Sequence, residues 1–122
     1  MKKLVATLLI GFTTLIAACS GGAPSRAEAF HQAIDRGQVS EAIAMIDPAA
    51  VQQVGEVNIR AALAKDAEFD KAAGGLKTIS VKGEEQGELA SYEVTLVFGN
   101  GKVRNEKTKL VKIQGKWYVA VR

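Results

Sequence analysis

The chain has 122 residues, of which 48% are hydrophobic and 24% charged, and it carries a formal net charge of +3. One cysteine and one histidine exclude an internal disulfide and the usual Cys/His zinc sites. Once Lys2 and Lys3 are set aside, basic and acidic residues nearly balance and alternate along the chain, which argues against binding to nucleic acid.

The first eighteen residues have the pattern of a secretory signal peptide. Lys2 and Lys3 precede an apolar run from Leu4 to Ala18 that ends in small residues. The alternative is a retained membrane-spanning helix, which needs roughly twenty apolar residues, whereas this run has about fifteen. The pattern therefore favours a segment that is removed on export.

The apolar run closes on Leu15-Ile16-Ala17-Ala18-Cys19, followed by Ser20 and other small residues. This stretch resembles the lipobox of bacterial lipoproteins. The resemblance implies cleavage between Ala18 and Cys19, lipidation of Cys19, and attachment to a lipid bilayer through the acylated cysteine. Ser20 further implies the outer membrane of the bacterial cell envelope, facing the periplasm. Three segments are expected: signal peptide (1–18), lipidated cysteine and tether (19–24), and a single domain (25–122).

Helical periodicity predicts three helices in the first half of the domain. A capping box from Ser25 to Glu28 starts the first helix, which Gly37 ends. A second helix runs from about Val39 to Ile46, and a third covers about 51–73 with a bend at Gly55. The residues expected on the buried stripes are Ala27, Phe30, Ala33 and Ile34 in the first helix, Val39, Ala42, Ile43 and Ile46 in the second, and Ile59, Ala62, Leu63 and Phe69 in the third.

From Leu76 onward the hydrophobic period becomes two, which predicts strands over 76–82, 89–98, 102–113 and 116–122, with a polar turn at 83–87. A three-residue turn at 99–101 sets Tyr92 opposite Thr108, and a two-residue turn at 114–115 sets Leu110 opposite Val119. A two-residue turn at Asn100-Gly101 would instead scatter the apolar residues over both faces. The expected apolar face comprises Tyr92, Val94, Leu96, Leu110, Trp117, Val119 and Val121. This order predicts an α+β domain in which N-terminal helices pack on a curved four-stranded antiparallel meander.

Residues 30–37, 42–48, 74–76 and 110–119 resemble the nuclear transport factor 2-like superfamily, a cystatin-like α+β cone. Within that superfamily the chain is most similar to small bacterial lipoproteins with a domain of unknown function. The resemblance implies a pocket between the curved sheet and the helices. Enzymes of the superfamily use Asp, His or Tyr groups for proton transfer, but no catalytic pair matches here, so no catalytic residue is assigned.

Five residues are candidates for lining that pocket. Arg104, Glu106 and Thr108 fall on the inner face of their strand, with Tyr92 beside Thr108. Charged residues are seldom buried without partners, so these side chains line either a polar pocket mouth or a part of the sheet that overhangs the helices. His31 either tips into the pocket or, as we expect, remains a partly exposed helix histidine. Trp117 is expected to be a core anchor.

Two classes of function fit these features. The first is a non-catalytic binding module for a small ligand, a glycan or a partner protein of the envelope. The alternative is a pocket enzyme, of isomerase or hydrolase type, that uses Glu106, Tyr92 or His31 for acid–base chemistry. Neither a cofactor nor a metal is expected. Association of two copies through the sheet is a further expectation.

Overall fold

The computed structural model describes residues 22–121, so the predicted signal peptide and Cys19 lie outside the described residues. Four helices are followed by four strands: α1 (Ala23–Asp35), α2 (Val39–Ala44), α3 (Pro48–Val54), α4 (Glu56–Ala72), β1 (Leu76–Gln86), β2 (Leu89–Phe98), β3 (Val103–Ile113) and β4 (Lys116–Ala120). None of these helices is both long and apolar enough to cross a membrane. The α+β class and the four-stranded antiparallel sheet are as predicted.

The first helix begins earlier than predicted. Gly22 is its N-cap, Pro24 lies in its first turn, and no side chain forms a capping hydrogen bond. The predicted capping box at Ser25 is therefore wrong. Proline suits the first turn because the N–H that it lacks would have no partner within the helix. Ala23 and Pro24, predicted as part of the tether, are helical.

The third helical stretch is divided in two at Gly55, which has a φ of 99°. Asp47 begins α3 by accepting a hydrogen bond from the Ala49 amide at 3.0 Å. Helix α4 ends at a pair of glycines, where the Gly75 amide donates to the Asp70 carbonyl. Two residues predicted on its buried stripe, Ala62 and Phe69, are exposed. The side chains that α4 buries are Ile59, Leu63 and Asp70.

The predicted strand register is confirmed. Tyr92 lies opposite Thr108, and Leu110 lies opposite Val119. Across the three-residue turn, the Phe98 amide donates to the Lys102 carbonyl at 2.9 Å. This register places one continuous apolar face towards the helices.

Strand β1 continues to Gln86, so the polar turn predicted over 83–87 is wrong except at its end. Gln86 pairs with Leu89, and the turn is Gly87-Glu88. The polar residues are tolerated because β1 is an edge strand and is exposed from residue 82 to residue 86. At Gly83, with φ of 154°, a Cβ would collide with the Ser91 carbonyl oxygen. Only glycine allows the two strands to approach this closely.

The core lies between the inner face of the sheet and the helices, with α1 packed against all four strands. Trp117 is 4% exposed, which confirms it as a core anchor. Val121 was predicted on the same face but is 39% exposed, because β4 ends at Ala120. The buried sheet residues are Ala90, Tyr92, Val94, Leu96, Phe98, Thr108, Leu110, Trp117 and Val119.

Candidate functional site

His31 and Thr108 meet across the interface between α1 and β3. The Nε2 atom of His31 lies 2.9 Å from Oγ1 of Thr108, and the two residues are 8% and 6% exposed. The expectation of a partly exposed histidine is therefore wrong. Burial, and secondarily the positive charge of Arg104, lower the pKa of His31 to about 4. The imidazole is thus neutral at pH 7 and shares a hydrogen bond with a hydroxyl.

Arg104 joins β3 to the C-terminal end of α4. Its Nη2 lies 3.4 Å from Oδ1 of Asp70, and its Nε lies 2.8 Å from Oε2 of Glu106. The guanidinium carbon is 5.0 Å from the ring centre of Phe69 and 5.4 Å from that of Phe98. Charge pairing and cation–π contacts therefore hold Arg104 on one side of the inner face.

Asp70 is a buried carboxylate that the sequence interpretation missed. Its side chain is 3% exposed. Burial raises its pKa to about 6, an effect that Arg104 opposes and that the nearby charges of Asp35 and Asp66 reinforce. The signal was available in the sequence, since Asp70 follows Leu63 by seven residues, two helical turns, and so shares its stripe. Phe69, one residue earlier, is rotated off that stripe.

His31, Thr108, Arg104, Asp70 and Glu106 form what we call the polar cluster. It contains four of the five candidate residues, near the end of the sheet that carries the turn at 99–101. His31, Thr108 and Asp70 are buried, while the side chains of Arg104 and Glu106 are 25% and 41% exposed. Its members contact one another through the His31–Thr108, Arg104–Asp70 and Arg104–Glu106 pairs.

A groove with a cavity volume of about 1180 Å³ lies at the opposite end of the sheet. Among the five candidate residues, Tyr92 is the one that lines it. Burial, together with the nearby charge of Glu85, raises the pKa of Tyr92, so its hydroxyl stays protonated. The lining consists of part of α3, the residue before it, and the halves of the strands far from the turn at 99–101: Asp47, Ala49, Ala50, Gln53, Lys82, Gly83, Glu84, Gln86, Leu89, Ala90, Ser91, Tyr92, Glu93, Lys107, Lys109, Leu110, Val111, Ala120 and Val121.

The family model described as Domain of unknown function (DUF4878) matches residues 17–120. The chain belongs to this family. A crystal structure of a candidate NTF2-like transpeptidase from Campylobacter jejuni is similar to it, with a TM-score of 0.73 and 22% identity over 79% of this chain and 94% of that one. At this identity the likeness shows the fold alone, and it supports the predicted NTF2-like architecture. A search of curated proteins gives no match.

The groove of this DUF4878 domain offers mixed chemistry. Its lining includes Asp47 beside α3 and five charged strand residues that alternate with the inner-face residues and so lie on the outer face of the sheet, namely Lys82, Lys107, Lys109, Glu84 and Glu93. Apolar side chains such as Leu89, Leu110 and Val121 line it as well. Within residues 22–121, no three His, Asp or Glu side chains are grouped closely enough to hold a metal ion. The arrangement suits a ligand with both apolar and polar groups.

Proposed function

We propose that this protein is a lipid-anchored lipoprotein of the bacterial cell envelope and that its domain is a non-catalytic binding module. Its ligand is a small molecule, a glycan or a segment of a partner protein, and it occupies the groove between α3 and the far halves of the strands. The observation that carries this proposal is the groove itself, with about 1180 Å³ of volume at the end of the sheet far from the polar cluster. Ligand pockets in proteins commonly have volumes of about 300–1,000 Å³.

Gln53 and Gln52 allow a matched test of the groove. Both are exposed residues of α3, but Gln53 lines the groove and Gln52 does not. We expect Gln53→Trp to reproduce the envelope phenotype of the gene deletion, because the indole fills ligand space. Gln52→Trp should behave as wild type. The comparison is made in cells by complementation, with protein level and membrane fractionation as controls. If both variants behave alike, the ligand does not occupy this groove.

A pocket enzyme remains the second candidate, and one observation favours it. His31 is neutral at pH 7 and lies 2.9 Å from the Thr108 hydroxyl, as a base lies beside a nucleophile. The Campylobacter jejuni protein is described as a candidate transpeptidase, so peptide transfer is the reaction to assay. Burial of the hydroxyl argues against an enzyme, since Thr108 is only 6% exposed. Turnover that is lost in Thr108→Val and retained in Thr108→Ser would favour this candidate.

The anchor is tested separately at Cys19. We expect Cys19→Ala to block cleavage after Ala18 and to leave a longer precursor without lipid. Acyl chains contribute about 0.8 kcal/mol per buried methylene, so a mature protein with several chains remains in the membrane. Detergent partition followed by mass spectrometry measures both effects. Wild-type protein found in the aqueous phase would contradict the proposed lipid anchor. It would not bear on the proposal that the groove binds a ligand.

A further inference from the structure

The connection between Cys19 and the folded domain is short. Helix α1 begins at Ala23, and three residues, numbered 20 to 22, separate it from Cys19. A fully extended chain spans at most about 3.6 Å per residue, which limits the distance from Cys19 to Ala23 to about 14 Å. An acylated Cys19, as proposed above, therefore holds the N-terminal end of α1 close to the bilayer surface.

The course of α1 across the sheet shows which part of the domain lies at that end. Near the C-terminus of α1, the Asp35 carboxylate accepts a hydrogen bond from the Leu76 amide at 2.8 Å, and Leu76 lies opposite Phe98, beside the β2–β3 turn. Four residues earlier in α1, His31 reaches Thr108 in β3. Towards its N-terminus, α1 therefore runs away from the β2–β3 turn and towards β4, against which it also packs. Its N-terminal end lies on the side of the domain where β3 turns into β4.

The hairpin tip, as we call residues 112–116, joins β3 to β4 and carries both basic and apolar side chains. Lys112 and Lys116 flank Ile113, which is 37% exposed. None of these three residues lines the groove. Basic residues beside an exposed apolar side chain are the combination with which surface segments bind the interface of an anionic bilayer.

The surroundings of the hairpin tip leave its positive charge available. The stretch 107–121 contains four lysines and no acidic residue. Among the salt bridges of the described residues, none involves Lys112 or Lys116. The β1–β2 turn beside the tip contains Glu88, whose carbonyl accepts a hydrogen bond from the Lys112 amide at 2.8 Å. The positive surface at this end of the sheet is therefore confined to the β3–β4 side, the side on which α1 begins.

We propose that the hairpin tip docks on the anionic phospholipid headgroups of the membrane that holds the acyl chains. The docking rests on the proposed lipid anchor and extends it, since the bilayer then contacts the domain itself. Lys112 and Lys116 lie at the level of the phosphate groups, and Ile113 enters the boundary between headgroups and acyl chains. The groove, which Val111 lines next to the tip, remains free for a ligand.

Fluorescence quenching by nitroxide-labelled lipid headgroups tests the docking. The mature acylated chain is placed in vesicles of phosphatidylethanolamine and phosphatidylglycerol. Cys19 is the only cysteine, so a bimane label on Gln114→Cys or on Ser80→Cys reports a single position. Both residues are exposed, the first in the hairpin tip and the second in β1. We expect quenching at position 114 to exceed that at position 80 by at least about threefold, because the tip lies within the headgroup layer.

Charge reversal in the hairpin tip tests the role of the two lysines. We expect Lys112→Glu/Lys116→Glu to lower the quenching ratio below about 1.5, because one lysine near an anionic surface favours association about fivefold. Lys65→Glu/Lys71→Glu, the same charge change on exposed lysines of α4, should leave the ratio unchanged. Replacing phosphatidylglycerol by phosphatidylcholine should lower the ratio in the chain without charge reversal, which tests the same charge dependence where folding is not at issue.

Three results would overturn the docking. Equal quenching at positions 114 and 80, in a chain that floats with the vesicles, would exclude the tip as the contact and leave the anchor intact. A chain that does not float with the vesicles would contradict the anchor, and the docking with it. A ratio that persists both in the folded Lys112→Glu/Lys116→Glu variant and without phosphatidylglycerol would exclude recognition of anionic headgroups by these lysines.

Discussion

Trp117→Ala is expected to lower the free energy of unfolding by about 3–5 kcal/mol, the range found when a large aromatic side chain is removed from a core. Trp117 is 4% exposed on the inner face of β4, and Lys112 Nζ lies 5.7 Å from its ring centre on the neighbouring strand. Small domains are stable by about 5–15 kcal/mol, so this one substitution removes a large share.

Urea denaturation of the purified protein measures this loss. Lys116→Ala is the matched control, because Lys116 is the exposed neighbour of Trp117 in the same strand. We expect it to change stability by less than about 0.5 kcal/mol. A Trp117→Ala cost under about 1 kcal/mol would contradict the packing of β4 against the helices.

The second large effect is a pH dependence of the free energy of unfolding. In the wild-type protein it is small, because the buried groups Asp70 and His31 respond to pH in opposite directions. The folded-state pKa of Asp70 is about 6, above its ordinary value of 3.8, so proton uptake by the folded state stabilises it as pH falls from about 6 to 4. The folded-state pKa of His31 is about 4, below its ordinary value of 6.5, so stability is lost as pH falls through 6.5 towards 4. Each contribution is about 2–3 kcal/mol, and the two oppose each other.

Single substitutions should reveal each contribution, with wild type at the same pH as the reference. Between pH 7 and pH 4, Asp70→Asn should lose about 2 kcal/mol relative to wild type, because the variant lacks the stabilisation that Asp70 gains on protonation. His31→Gln should gain about 3 kcal/mol relative to wild type over the same range. Urea unfolding at pH 7, 6, 5 and 4 measures both differences. Variants whose stability stays parallel to wild type across this range would show that neither group is buried as described.

The strand register was predictable because two independent constraints agreed. Period-two alternation defined the apolar face, and the three-residue turn at 99–101 fixed which residues lie opposite each other. Tyr92 and Thr108 were paired correctly for this reason. The extent of β1 was not predictable in the same way, because polar residues on an exposed edge strand resemble a turn. The true turn is confined to Gly87-Glu88, and only the neighbouring strand shows this.

The helix boundaries depended on local signals that competed. Ser25 and Glu28 have the spacing of a capping box, yet the helix starts at Ala23, because Pro24 is compatible with a first turn. Pro48 is compatible with the end of one helix, and here it lies in the first turn of the next, which Asp47 caps. In both places one residue type suits two roles, and tertiary packing selects between them.

The candidate site was predictable only where it lies on the sheet. Arg104, Glu106 and Thr108 alternate along one strand, so their shared face follows from period two. Their partners on the helices, His31 and Asp70, required knowledge of how α1 and α4 cross the sheet. The groove was harder still, because most of its lining residues form no sequence motif. Among the candidates, Tyr92 links the two regions, since it lines the groove and lies opposite Thr108 of the polar cluster.

Photo-crosslinking from α3 in living cells tests the binding-module proposal most directly. A photoreactive amino acid at position 53 points into the groove, and the same residue at position 52 serves as the control on the same helix. The account predicts one discrete adduct from position 53 that position 52 does not give and that Ala49→Trp, an exposed change on the groove lining, removes. Equal adducts from both positions, or adducts from position 53 that survive Ala49→Trp, would contradict it.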